Sequence, residues 1–215
     1  MARMKRNIGD LVSGRIGNVV FYTRNGVNYV RAAPDRKKDS WSPQQMLHRQ
    51  RFSKASYLWS QLKKTKVAPI WNLAAERMNG YALFMKANMP AYALDGSIID
   101  AKMLKISTGK LHLPMDLEAT REIAGSLVIT VSWKNDPNLK GKCLENELMA
   151  VSVNNGHYSA MTPTGLLRNS LGGTFTLPVK PAEATHIYLF FASQDGLDYT
   201  ESVCFELGEN TNYTD

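Results

Sequence analysis

The chain has only two cysteines in 215 residues, Cys143 and Cys204, and their separation fits neither a metal-ligand spacing nor a disulfide framework. One lies in a loop-like and one in a strand-like setting, which favours small buried or idle thiols. No apolar run approaches the roughly 20 residues needed to cross a bilayer, so no membrane partner is expected. Near the N-terminus, Arg3, Lys5 and Arg6 precede Ile8-Gly9-Asp10-Leu11-Val12, where an acid and a glycine break the continuous apolar stretch of a signal peptide. A cytoplasmic location is the expectation.

Catalytic signatures are missing as well. There is no His-x-x-x-His and no Cys-x-x-Cys. His48 falls in a basic helical stretch, His112 and His186 at strand edges, and His157 after a hairpin turn. Gly14-Arg15-Ile16-Gly17 lacks the Gly-Lys-Ser/Thr of a phosphate loop and leads into a strand, so its amides belong in a ladder rather than around a phosphate. Glu145 and Glu147 alternate at a strand entrance instead of facing each other across a cleft, as a glycosidase pair would. The chain therefore reads as non-enzymatic, with no cofactor, no metal and no small-molecule substrate.

What is present is an ordinary globular composition, 44% hydrophobic and 21% charged, with an uneven distribution of charge. Residues 1–110 hold 20 Lys and Arg against 6 Asp and Glu, a net of +14; residues 111–215 hold 6 against 13, a net of −7. Such a split suggests that the first half faces a polyanion while the second half solubilises the chain or contacts protein.

The order of elements follows from local signals. Two β-rich runs flank Arg24-Asn25-Gly26, and Asn-Gly between β-formers marks a hairpin, because both central residues of a type I′ turn need positive φ. Strands are predicted near 17–23 and 27–32. An isolated hairpin is marginal in water, so another surface should cover this one. Residues 34–43 read as a polar connector carrying Trp41. Ser42, Pro43 and Gln45 form a capping-box start with proline at the first helical position. The helix that follows places Met46, Leu47, Phe52, Tyr57, Leu58 and Leu62 at helical intervals. A second helix should run from Pro69 to about Met78 and end at Asn79-Gly80, and a third from Tyr81 to Ala91. Phe52, Trp59, Trp71, Tyr81 and Phe84 are the expected shared core.

After Ser97 the pattern becomes alternating. Strands are predicted at 102–107, 126–133, 147–153, 157–162, 173–177, 186–192 and 201–207, with turns at Asn154-Asn155-Gly156 and Asp195-Gly196. Leu127, Ile129, Val131 and Trp133 should face inward from one strand, and Ile187, Leu189 and Phe191 from another. The expected architecture is α+β: an N-terminal β-hairpin and three short helices over 1–96, then a seven-strand immunoglobulin- or fibronectin-like β-sandwich over 97–215.

Gly14-Arg15-Ile16-Gly17-Asn18-Val19-Val20, then Gly26, Tyr29-Val30-Arg31-Ala32 and Pro34, then Ser42-Pro43-Gln44-Gln45, Arg49 and Arg51-Phe52, resemble an uncharacterised family found mainly in Bacteroidetes. The resemblance extends over the whole chain. It implies a Gly-rich hairpin, a Gln/Arg/Phe helix start and a β-rich C-terminal half, and carries no activity with it. Gly80-Tyr81-Ala82-Leu83-Phe84-Met85-Lys86-Ala87-Asn88-Met89-Pro90 resembles the first helix of an HMG box, a minor-groove binder that kinks DNA with apolar wedges. In that family a Trp-bearing helix follows; here Trp59 and Trp71 precede, and this permuted order favours an ordinary amphipathic helix.

The function these features suggest is nucleic-acid binding, DNA more than RNA, through phosphate contacts from Arg15, Arg24, Arg31, Arg36, Lys37, Lys38, Arg49, Arg51, Lys54, Lys63, Lys64 and Lys66. The β-sandwich would then be an interaction or spacing module. The competing expectation is a self-assembling structural or phage-derived virion-associated subunit, whose N-terminal arm pairs with neighbouring copies while basic and acidic halves meet head to tail.

Overall fold

The computed structural model describes residues 2–3, 13–35, 41–121, 126–138, 141–177 and 184–207, which fall into two units, Met1–Ser42 and Pro43–Asp215. In the first unit, β1 (Ala2–Arg3), β2 (Gly14–Ile16), β3 (Val19–Arg24) and β4 (Val27–Ala32) form an antiparallel sheet in the order β1-β4-β3-β2. Asn25 and Gly26 take φ of 51° and 70°, the pair of left-handed residues that the predicted hairpin turn requires. None of the described side chains of this unit is buried.

In the second unit, α1 (Pro43–Leu62), α2 (Ala68–Ala74) and α3 (Gly80–Asn88) precede eight strands. Helix α1 starts where Ser42-Pro43 predicts. Helix α2 is shorter than expected, because Asn79 starts α3 instead of ending α2: its side-chain oxygen accepts from the Ala82 amide at 2.8 Å. Trp59, Trp71 and Phe84 make the aromatic core, with Phe84 5.1 Å from Trp59 and 5.2 Å from Trp71 between ring centroids. Phe52, expected among them, is instead 49% exposed.

The strands are β5 (Met115–Thr120), β6 (Val128–Lys134), β7 (Glu147–Asn154), β8 (His157–Tyr158), β9 (Thr162–Leu167), β10 (Gly172–Thr176), β11 (Ala184–Ala192) and β12 (Val203–Glu206). One sheet runs β10-β6-β5. The other runs β12-β11-β7-β8, with β9 also paired to β7. Ile129, Val131 and Trp133 of β6 pack with Leu148, Ala150, Ile187, Leu189 and Phe191 across the gap between the sheets, so the fold is α+β with a β-sandwich. Among the described residues eight strands stand where seven were expected. The predicted strand at 102–107 is a 3-10 turn over Ala101–Met103 followed by extended chain, and β5, absent from the predicted strands, pairs with β6.

The physical reason is that side chains, not a ladder, satisfy the backbone there. Asn88 accepts from the Lys105 amide at 2.7 Å and donates to its carbonyl at 3.0 Å; Ser202 Oγ accepts from the Ile106 amide at 2.8 Å; Trp71 Nε1 donates to the Ile106 carbonyl at 2.8 Å.

Strands β7 and β11 are buried on both faces. Met149, Val151, Val153, Tyr188, Phe190 and Ala192 pack away from the sandwich interior into one cluster with Leu58, Trp59, Leu62, Ile70, Trp71 and Phe84 of the helices. The layers are thus three-stranded sheet, five-stranded sheet, helices, and the expected boundary at 96/97 falls inside the second unit. Arg168 locks the sandwich end. It is 1% exposed, donates to the His112 carbonyl at 2.6 Å and to Asn135 Oδ1 at 3.2 Å, and lies 5.5 Å from the centre of the Phe191 ring; burial lowers its pKa.

Candidate nucleic-acid interface

Residues directly opposite in an antiparallel pair share a face, as do residues two apart along one strand. In the first unit Arg15 stands opposite Val20, Val20 opposite Arg31, Tyr22 opposite Tyr29, and Arg24 opposite Val27. One face of this sheet therefore gathers Arg15, Arg24 and Arg31 around the Tyr22–Tyr29 pair, whose rings stack at 5.4 Å with planes 18° apart. All three arginines are exposed, and strands β2, β3 and β4 contain no acid. The Arg15 guanidinium partly serves the fold, donating from Nε to the Gly17 carbonyl at 2.8 Å. The opposite face holds Ile16, Val19, Phe21, Val30 and Ala32.

The second unit carries its cations on α1 and the turn beyond it. From residue 40 to residue 75 the sequence has no acid and six Lys and Arg. The buried stripe of α1 is Ala55, Leu58, Trp59 and Leu62. Arg49 falls on one side of it, along an open depression with His48, Phe52, Ser53 and Ser56; Lys54 falls on the other, beside Tyr57 and Gln61. Lys63, Lys64 and Lys66 are exposed on the 3-10 turn that ends the helix, with Lys66 at φ 64°. Lys54, Lys63, Lys64 and Lys66 form no ion pair among the described residues, whose ion pairs join Lys102 to Glu206, Lys105 to Glu201, Lys110 to Glu76 and Lys134 to Asp116.

Arg51 is different. It is partly buried, and both Nε and one terminal nitrogen donate to the Met89 carbonyl, at 3.2 and 2.5 Å. A cation at that carbonyl complements the C-terminal end of α3, so Arg51 holds the helices together rather than presenting charge to solvent. Arg36, Lys37 and Lys38 lie outside the described residues. The expected set is thus divided among a sheet face, two sides of α1 and a turn. Sequence reasoning passed over Tyr22 and Tyr29, although a two-residue turn at 25–26 pairs 22 with 29 and sets Val20-Tyr22-Arg24 against Val27-Tyr29-Arg31.

Among the described residues no group of His, Cys, Asp and Glu could hold a metal ion, both cysteines are free, and no helix is long and apolar enough to cross a membrane. No family model and no curated protein matches the chain. Among solved structures, a computationally redesigned β-sandwich protein is 18% identical with a TM-score of 0.33, over 49% of this chain and 99% of that one. The fibronectin type-III domain of human fibronectin type III domain containing protein 3 is 12% identical with a TM-score of 0.30, over 51% of this chain and 94% of that one.

Proposed function

We propose that this chain is a non-enzymatic nucleic-acid-binding protein that contacts the sugar-phosphate backbone, with DNA preferred over RNA and the sandwich serving as an interaction or spacing module. The observation that carries this reading is the face on which Arg15, Arg24 and Arg31 surround the stacked Tyr22–Tyr29 pair. Guanidinium groups pair with phosphate oxygens, and an aromatic platform between them gives a base or sugar an apolar surface. The acid-free stretch through α1 adds Arg49, Lys54, Lys63, Lys64 and Lys66 to the positive field. Membership of the Bacteroidetes family and kinship of the sandwich with immunoglobulin and fibronectin domains belong to the same proposal. Anisotropy titrations with labelled duplex DNA, single-stranded DNA and RNA at low salt test it. Binding should be steeply salt-dependent and nearly indifferent to sequence. Absence of a complex with all three overturns the reading.

A second reading has its own observation. The four-stranded sheet has no buried side chain among its described residues, and its β2 edge carries Ile16, which is 62% exposed. An open edge and exposed apolar side chains invite pairing, which another copy would provide in a self-assembling or virion-associated subunit. Light scattering on nuclease-treated protein, with and without residues 1–33, separates the two. Oligomers lost on truncation favour assembly; a monomeric full-length chain removes it.

A further inference from the structure

Within the second unit a cleft of about 250 Å³ opens between α1, the turn at 92–98 and the β7–β8 hairpin. Tyr57, Tyr92 and Tyr158 line it with Leu58, Ile98 and Gly156, and Lys54 and Gln61 also border it. Its volume lies below the roughly 300–1,000 Å³ of pockets for drug-sized ligands, which leaves room for one planar ring system. Tyr92 is only 3% exposed, and burial pushes its pKa up to about 12, so its phenol stays protonated. Tyr57 is 61% exposed, free to close over an occupant.

The wall facing α1 is built. Gly96, at φ 82°, sits so close to the helix that a Cβ there would come within 2.8 Å of Lys54 Cγ and 3.3 Å of the Gln50 carbonyl oxygen. The turn is held by the Gly96 amide on the Ala93 carbonyl and by Asp95, which accepts from both the amide and the hydroxyl of Ser97 and so spends its carboxylate within the turn.

We infer that this cleft takes an unpaired nucleobase. The inference rests on the nucleic-acid reading and deepens it by naming single strands as the preferred form. Aromatic walls match the π-face of a base, Gln61 and the Tyr92 hydroxyl match its hydrogen-bonding edge, and the Lys54 ammonium, in a helix without acids, matches the adjoining phosphate. A base stacked inside a duplex cannot enter, so the cleft acts only on single-stranded or extruded nucleotides.

The experiment compares labelled dT10 with a fully paired duplex against the full chain and its Y57A, Q61A and Y92F variants, and maps crosslinks from an oligonucleotide carrying 5-iodouracil. Tyr57→Ala, at an exposed position, should weaken dT10 binding about tenfold, within the range for one stacked base, and leave duplex binding within about twofold. Crosslinks should fall on Tyr57 or Tyr158. If Y57A and Y92F bind dT10 as the parent does and crosslinks map to Tyr22 and Tyr29, the cleft is refuted while nucleic-acid binding stands. If both substrates weaken equally, the cleft is again refuted. If neither substrate binds the parent chain, both readings fall.

Discussion

Replacing Arg15, Arg24 and Arg31 together by Gln tests the interface most directly, because all three stand on one face of the first unit's sheet and none is buried. Each phosphate contact on B-DNA contributes about 0.9 to the slope of log affinity against log salt, so losing three should flatten it by about 2.7. Between about 50 and 200 mM salt, a fourfold change, the parent should lose about 40-fold more affinity than the triple variant. Arg15 already donates to the Gly17 carbonyl, so R24Q with R31Q should account for most of the effect, a flattening of about 1.8. Anisotropy titrations on a duplex at four salt concentrations give both slopes. A triple variant that binds more weakly with an unchanged slope would refute the reasoning, since the arginines would then be supporting the sheet and not neutralising phosphate.

Arg51→Gln should leave that slope unchanged and lower stability by about 1–2 kcal/mol, the loss of a partly exposed charged donor to the Met89 carbonyl, measured by urea unfolding. A fragment spanning 43–215 should fold cooperatively, whereas one spanning 97–215 should aggregate or bind a hydrophobic dye, because removing the helices bares Val151, Tyr188 and Phe190. A monomeric, cooperatively melting 97–215 fragment would contradict the shared core. Burial raises the pKa of Tyr92, Tyr158 and Tyr188 above the ordinary 10.0. The unfolded chain therefore loses these protons first, and the stability held by the neutral phenols is full below pH 10.0 and is lost as pH climbs through the folded values, about 12 for Tyr92. Urea midpoints should fall from about pH 10 to about pH 12, with Tyr188→Phe reducing the fall.

Local chemistry alone determined the elements whose reasons are local. Asn25-Gly26 demands two left-handed residues, and that turn sets Tyr22 opposite Tyr29; Ser42-Pro43 sets the start of α1; the alternation of Ile129, Val131 and Trp133 points that strand into the sandwich. The imbalance of charge between the halves was equally plain. Tertiary structure decided the rest, because it depends on contacts between segments far apart in the chain. Leu104 and Ile106 alternate as in a strand, yet Asn88, Trp71 and Ser202 take the hydrogen bonds a ladder would have taken. Arg51 looks like its cationic neighbours until α3 brings the Met89 carbonyl to it. The nearly unbroken apolar runs at 148–153 and 187–192 were the one signal that helices cover the five-stranded sheet, since a strand apolar on both faces must be buried on both. Which segment does the covering, and the cleft left between α1 and the β7–β8 hairpin, exist only once the layers have packed.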